Sequence, residues 1–203
     1  MLNLTDWVIR AVAVLAAIVV HEYAHGWMAD SFGDPTPRQS GRLTLNPLVH
    51  LDPIGTLMLL FFRFGWAKPV PINPAYFRDR RRGLLLVSLA GPASNLLFAF
   101  VAMALFKVVV AGPVGTLGLF LITLMRFNVW FALFNLIPVP PLDGSRIVGI
   151  YLRGPLARMY WEYQTYGWLV LMLLIGTGAV GAVLGPLSLW VFRLFDQLTF
   201  FLG

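Results

Sequence analysis

A chain of 203 residues that is 59% hydrophobic and 12% charged, with a mean hydropathy of +0.78, falls outside the range of a soluble domain and belongs in a membrane. The net charge of +6 does not point to nucleic acid, because the Lys and Arg residues sit in short segments beside apolar runs and not on an amphipathic face. Cysteine is absent, which excludes disulfides and thiolate ligands and restricts any metal site to nitrogen and oxygen donors.

The first predicted helix runs from about Leu4 to Met28. Its apolar stretch leads into His21-Glu22-Tyr23-Ala24-His25 and not into a small-residue cleavage site, so it is expected to be retained and not removed as a signal peptide. The stretch from Asp30 to Asn73 is rich in Pro, Gly, Asn and Asp, with Gly33-Asp34-Pro35, Asn46-Pro47, Asp52-Pro53 and Pro69-Val70-Pro71, and reads as ordered loops and turns. Inside it, the charge-free core Pro53 to Phe62 holds 10 residues, against the roughly 20 that cross a hydrocarbon core. Asp52 to Trp66 is therefore expected to re-enter or lie at the interface, where protein or a wet cavity must satisfy its backbone.

The next predicted helices are Leu84 to Val110, whose first 23 residues to Phe106 carry no formal charge, and about Gly118 to Leu136. The 30 uncharged residues from Tyr163 to Phe192 hold a fourth helix, Tyr163 to about Val183. A last apolar piece, Leu187 to Phe201, returns across the membrane or lies on it. The expected fold is an all-α polytopic membrane protein with a three-helix catalytic core and one or two C-terminal helices. It forms a single membrane-embedded domain over residues 1–203, with core 4–150, irregular segment 30–73 and C-terminal helices 163–203. Arg38, Arg42, Arg63, Lys68, Arg78, Arg80, Arg81 and Arg82 lie between the first two long apolar segments, and Arg146, Arg153 and Arg158 follow Asp143. The positive-inside rule makes these regions cytoplasmic, with Arg78 to Arg82 as an anchor on anionic lipid.

His21 and His25, four apart on a helix, share one face and are close enough to hold one cation through their imidazole nitrogens. Glu22 sits beside that cation without ligating it, where its carboxylate can take a proton from bound water. This is the His-Glu-x-x-His arrangement of zinc hydrolases. The three groups follow the unbroken apolar run Ala11 to Val20, and ionisable side chains at that depth are costly without a partner. A catalytic zinc takes a third protein ligand and keeps one position open. Asp143 is the best candidate: it ends Asn135-Leu136-Ile137-Pro138-Val139-Pro140-Pro141-Leu142, whose prolines break the helix, and precedes Gly144, which permits close approach. His50 and Asp52, in a polar loop, are the alternatives.

His21-Glu22-Tyr23-Ala24-His25, then Leu89-Ala90-Gly91-Pro92-Ala93-Ser94-Asn95, then Asn135-Leu136-Ile137-Pro138 running to Asp143-Gly144, together resemble the site-2 protease family of intramembrane zinc metalloproteases in a short form, without a PDZ or nucleotide-sensing domain. Gly41-Arg42-Leu43-Thr44-Leu45-Asn46-Pro47 is similar to a bacterial branch of that family. The resemblance implies that His21, His25 and Asp143 bind one Zn2+, that Glu22 activates water, and that Asn95 works in the active site. On chemistry, Asn95 either donates to a developing oxyanion or stitches helices together. Asn135 either holds substrate backbone or caps its own broken helix.

These readings lead to an enzyme of a cell membrane, a bacterial plasma membrane, with its site toward the cytoplasm. Its partners are transmembrane protein or peptide substrates and the lipid bilayer. The alternative is a catalytically retired protein that binds and shelters transmembrane segments, which has no need of Glu22. A metal transporter would repeat polar or acidic groups along several helices, and this chain does not.

Overall fold

In the computed structural model of the chain, residues 3–55, 67–110 and 112–202 are described. Eight α-helices follow one another among them: α1 (Leu4–Ser31), α2 (Thr36–Gln39), α3 (Arg80–Val109), α4 (Thr116–Asn135), α5 (Asp143–Tyr151), α6 (Gly154–Tyr163), α7 (Gly167–Gly176) and α8 (Ala179–Leu198). Four of them, α1, α3, α4 and α8, are long and apolar enough to cross a membrane. The protein is an all-α multi-pass membrane protein, as its composition requires.

Local chemistry sets the ends of the long helices. Asn3 and Asp6 form a capping box at the start of α1: Asp6 N–H donates to Asn3 Oδ1 at 2.8 Å, and Asn3 N–H to Asp6 Oδ2 at 3.3 Å. Asp79 caps α3 by accepting from Arg82 N–H at 2.9 Å, so this helix begins at Arg80 and absorbs the arginine cluster that precedes its apolar run. Small residues let the helices approach closely. Ala13 of α1 and Ala102 of α3 pack with Leu121 and Leu124 of α4, while Ala99 of α3 and Val129 of α4 pack with Val191 and Phe195 of α8. An ion pair from Lys107 Nζ to Asp196 Oδ1 at 2.8 Å joins the ends of α3 and α8.

The expected helix from Tyr163 to Val183 is interrupted. Gly178 takes φ +77, and its N–H donates to Ile175 O, so α7 stops at Gly176 and α8 starts at Ala179. This left-handed cap is a glycine conformation that an uncharged run does not advertise. With 10 residues, α7 is about 15 Å long, half of a hydrocarbon core. The C-terminal candidate span is α8.

The irregular segment between α1 and α3 is ordered by buried polar groups. Asp34, fully buried, accepts from Thr36 N–H at 3.0 Å and Asn73 N–H at 2.7 Å. Arg42 donates to Val49 O and to Lys68 O, and Lys68 N–H donates to His50 O at 2.9 Å beside an antiparallel bridge between Leu51 and Ala67. Phe77 then packs on Ala29 and Val87, which brings the stretch after residue 67 against the end of α1 and the start of α3. No β-strand occurs among the described residues. The expected re-entrant element from Asp52 to Trp66 lies mostly outside the described residues, since 56–66 are not among them.

Candidate metal centre and active site

His21 and His25 stand one turn apart on the buried side of α1, rings edge to face, with centroids 4.5 Å apart and planes at 88°. Their Nε2 atoms are 3.0 Å apart, and Asp143 Oδ2 lies 3.1 Å from each. The other ring nitrogens point away from this cluster. His25 Nδ1 meets Val87 O at 2.7 Å, and His21 Nδ1 meets Asn95 Oδ1 at 2.6 Å. Both partners are carbonyl oxygens, which only accept, so both Nδ1 atoms carry the hydrogen and both Nε2 atoms present lone pairs. Two lone pairs and a carboxylate oxygen therefore converge with no donor among them, and they need a cation. Two nitrogens and one oxygen, all within 4.8 Å of one another, are the donor set of a catalytic zinc that keeps a position open.

Glycine makes the convergence possible on two sides. On α3, a Cβ at Gly91 would collide with His25 Nε2 and stand 2.7 Å from His21 Nε2, so the rings fit only against bare backbone. At Gly144 a Cβ would collide with Leu136 O and lie 2.6 Å from Ile137 O. The proline-broken chain therefore folds back hard on the end of α4, and Asp143 starts α5 aimed at the histidines.

The cluster opens on a cavity of about 100 Å³ lined by Glu22, Val70, Asn135, Pro141 and Arg146 as well as the three candidate ligands. Glu22 stays out of the metal-holding group. Its Oε2 accepts from Val70 N–H at 3.0 Å, so the irregular segment positions the carboxylate.

Proteins of similar sequence carry the same chemistry in their names. Over 183 residues the chain is 38% identical to "Putative zinc metalloprotease YwhC" of Bacillus subtilis (strain 168), covering 87% of this chain and 84% of that one. The chain belongs to the site-2 protease family. It is also 28% identical over 191 residues to "Putative zinc metalloprotease Rip2" of Mycolicibacterium smegmatis, covering 88% of this chain and 70% of that one. A third relative is "Putative zinc metalloprotease MJ0611" of Methanocaldococcus jannaschii, 28% identical over 172 residues, or 76% of this chain and 82% of that one. No family profile and no solved structure matches the chain. Membership makes this protein a metalloprotease, and the His21, His25 and Asp143 group is able to hold its metal.

Not every residue singled out in the sequence of this site-2 protease reaches the cavity. Asn95 is fully buried, and both hydrogens of its amide are committed, one to Ala17 O at 2.9 Å and one to Asn128 Oδ1 at 2.7 Å. It has none left for an oxyanion, so of its two expected roles the hydrogen bonds realise the tie between helices. Asn135 does line the cavity, with its Nδ2 donating to Phe131 O at 2.9 Å. His50 is fully buried and hydrogen-bonds Thr44 O at 2.8 Å, and Asp52 Oδ1 accepts from Gly55 N–H at 2.7 Å. Neither joins the metal-holding group among the described residues. Sequence reasoning missed Asn128, whose signal is a lone amide within the apolar run Phe127-Asn128-Val129-Trp130-Phe131, and polar groups at that depth need a partner. It also missed Val70, whose contribution is a main-chain N–H that no side-chain pattern encodes.

Proposed function

We propose that this chain is an intramembrane zinc endopeptidase that hydrolyses peptide bonds in or near transmembrane segments of membrane proteins. The observation that carries this reading is the three-way convergence of His21 Nε2, His25 Nε2 and Asp143 Oδ2 with no donor among them, inside a bundle of apolar helices. His21, His25 and Asp143 hold the zinc and Glu22 is the general base. Bound zinc would acidify a water and polarise the scissile carbonyl. Val70 N–H occupies Glu22 Oε2 and leaves Oε1 to take the proton and later return it to the leaving amine.

A cavity of about 100 Å³ has room for a few waters and an extended backbone, not for a helix. A transmembrane substrate must therefore unwind locally before its carbonyl reaches the site. The extended stretch from Ala67 to Asn73, which already supplies Val70 N–H to Glu22, is positioned to hold the unwound strand by main-chain pairing. The basic residues Arg38, Arg42, Lys68 and Arg78 lie between α1 and α3, and Arg80 to Arg82 open α3, on the side where the site opens; this bias supports a cytoplasmic orientation of that side.

The test is a comparison of purified wild type with Glu22→Gln in detergent, reading bound metal and cleavage of a transmembrane peptide. The expected result is unchanged zinc content with hydrolysis reduced on the order of 10²-fold to 10⁴-fold. Equal cleavage by both proteins rules the reading out, and wild type that binds zinc yet cleaves no membrane peptide supports a sheltering protein.

A further inference from the structure

The direction of every hydrogen bond behind His21 is fixed by two main-chain carbonyls. Leu124 O accepts from Asn128 Nδ2 at 2.8 Å, so the Asn128 amide oxygen faces the other way, toward Asn95 Nδ2 at 2.7 Å. Ala17 O accepts the second hydrogen of the same Asn95 nitrogen at 2.9 Å. Asn95 can then offer His21 only its oxygen, at 2.6 Å from Nδ1. Reversing any one amide would set donor against donor or oxygen against oxygen. Asn95, Asn128 and His21 are all buried, the two amides completely, so water cannot substitute for a lost partner.

We infer that Asn95 and Asn128 form an amide relay across α1, α3 and α4 that locks the tautomer and plane of His21 and thereby sets the affinity of the metal centre. They are positioning residues, and Asn128 acts on the metal through two intervening side chains. The relay deepens the proposed function and rests on its assignment of His21 as a ligand. His25 has no such side-chain support, since its Nδ1 donates directly to Val87 O of the helix backbone. The two ligands on α1 are thus held by different means, and side-chain substitution can loosen only one of them without touching either ring.

Without the Asn95 oxygen, the Nδ1 hydrogen of His21 loses its buried acceptor, and the tautomer that turns a lone pair toward Asp143 is no longer preferred. Hydrogen-bond partners of metal-bound imidazoles typically contribute on the order of 10-fold to 100-fold in metal affinity. A purely structural tie between helices would change unfolding and leave affinity alone.

The experiment measures zinc dissociation constants in detergent by competition with a chromophoric chelator, together with thermal unfolding of the metal-free proteins. Asn95→Leu is expected to weaken zinc binding by about 10-fold to 100-fold, and Asn128→Leu to weaken it in the same direction by less. The double variant is expected to be no worse than Asn95→Leu alone, because both substitutions break one chain. Nitrogen-15 shifts of the metal-free proteins provide a second readout, with the His21 proton on Nδ1 in wild type but redistributed in Asn95→Leu. Wild-type affinity in both leucine variants overturns the relay, as does a His21 proton that stays on Nδ1 in Asn95→Leu. Failure of the underlying function reads differently: wild type and His21→Ala would then hold zinc equally or not at all, and both readings fall together.

Discussion

A methyl group at position 91 would occupy space that the two imidazoles already fill, since a Cβ there collides with His25 Nε2 and comes within 2.6 Å of His21 Cε1. The rings cannot retreat, because each Nδ1 is hydrogen-bonded on its far side. Gly91→Ala is therefore expected to displace α3 or tilt a ring, with bound zinc lost or its affinity down by at least about 10-fold, as for a disturbed ligand orientation. Gly112→Ala is the matched control: nothing lies within 4 Å of its Cβ, and its effect on stability should stay within about 0.5 kcal/mol. Equal zinc content in both variants, measured on purified protein, would show that the close approach is not needed. At this scale the convergence of His21, His25 and Asp143 beside Glu22 was legible in the sequence because these residue types have a spacing and a local context. Asn95 was legible as important but not in its role, since a pattern of residue types does not say which atoms a side-chain amide has already committed.

The irregular segment shows why element boundaries and element roles are legible to different degrees. Long apolar runs marked α1, α3 and α4 to within about a turn, whereas Gly178 lay inside a continuous uncharged stretch and its turn could not be seen. The segment after α1 read as ordered turns from its prolines and glycines, yet much of its order comes from the carboxylate of Asp34, one of three acidic residues from Asp30 to Asn73 with nothing in the pattern to single it out. With both oxygens engaged and no exposure, Asp34 joins the end of α1 to the stretch that carries Val70. Asp34→Ala removes the acceptor of the Thr36 and Asn73 N–H groups and is expected to cost about 1–3 kcal/mol for each that finds no water. The local consequence is the sharper prediction. Loosening Ala67 to Asn73 frees Glu22 from Val70 N–H, so peptide cleavage should fall several-fold while zinc content holds. If zinc and cleavage fall in strict proportion, the carboxylate instead supports the whole bundle, and the segment has no separate part in positioning the base.

Across the whole molecule, the order of the helices fixes which groups share a side of the membrane. The chain enters at Leu4, reaches the site side at Ser31, returns from Arg80 to Val109 and comes back from Thr116 to Asn135, so Arg80 and Asp143 share a side opposite to Val110 and Gly115. His21 lies 10 residues before the end of α1, about 15 Å down the helix from its site-side end, so water and products must pass through the mouth between Val70 and Arg146. The far loop, Val110-Ala111-Gly112-Pro113-Val114-Gly115, carries no Lys or Arg, while the site side carries the arginine clusters, and that asymmetry is the whole basis for orienting the mouth to the cytoplasm. Because the native chain has no cysteine, single substitutions report without background. Gly115→Cys should react with a membrane-impermeant maleimide added to intact cells, and Arg80→Cys only after the membrane is opened. The reverse pattern would turn the site outward and would overrule a charge bias that acts during insertion. It would leave the metal centre untouched, since that centre depends on contacts among α1, α3 and α5 and not on which compartment they face.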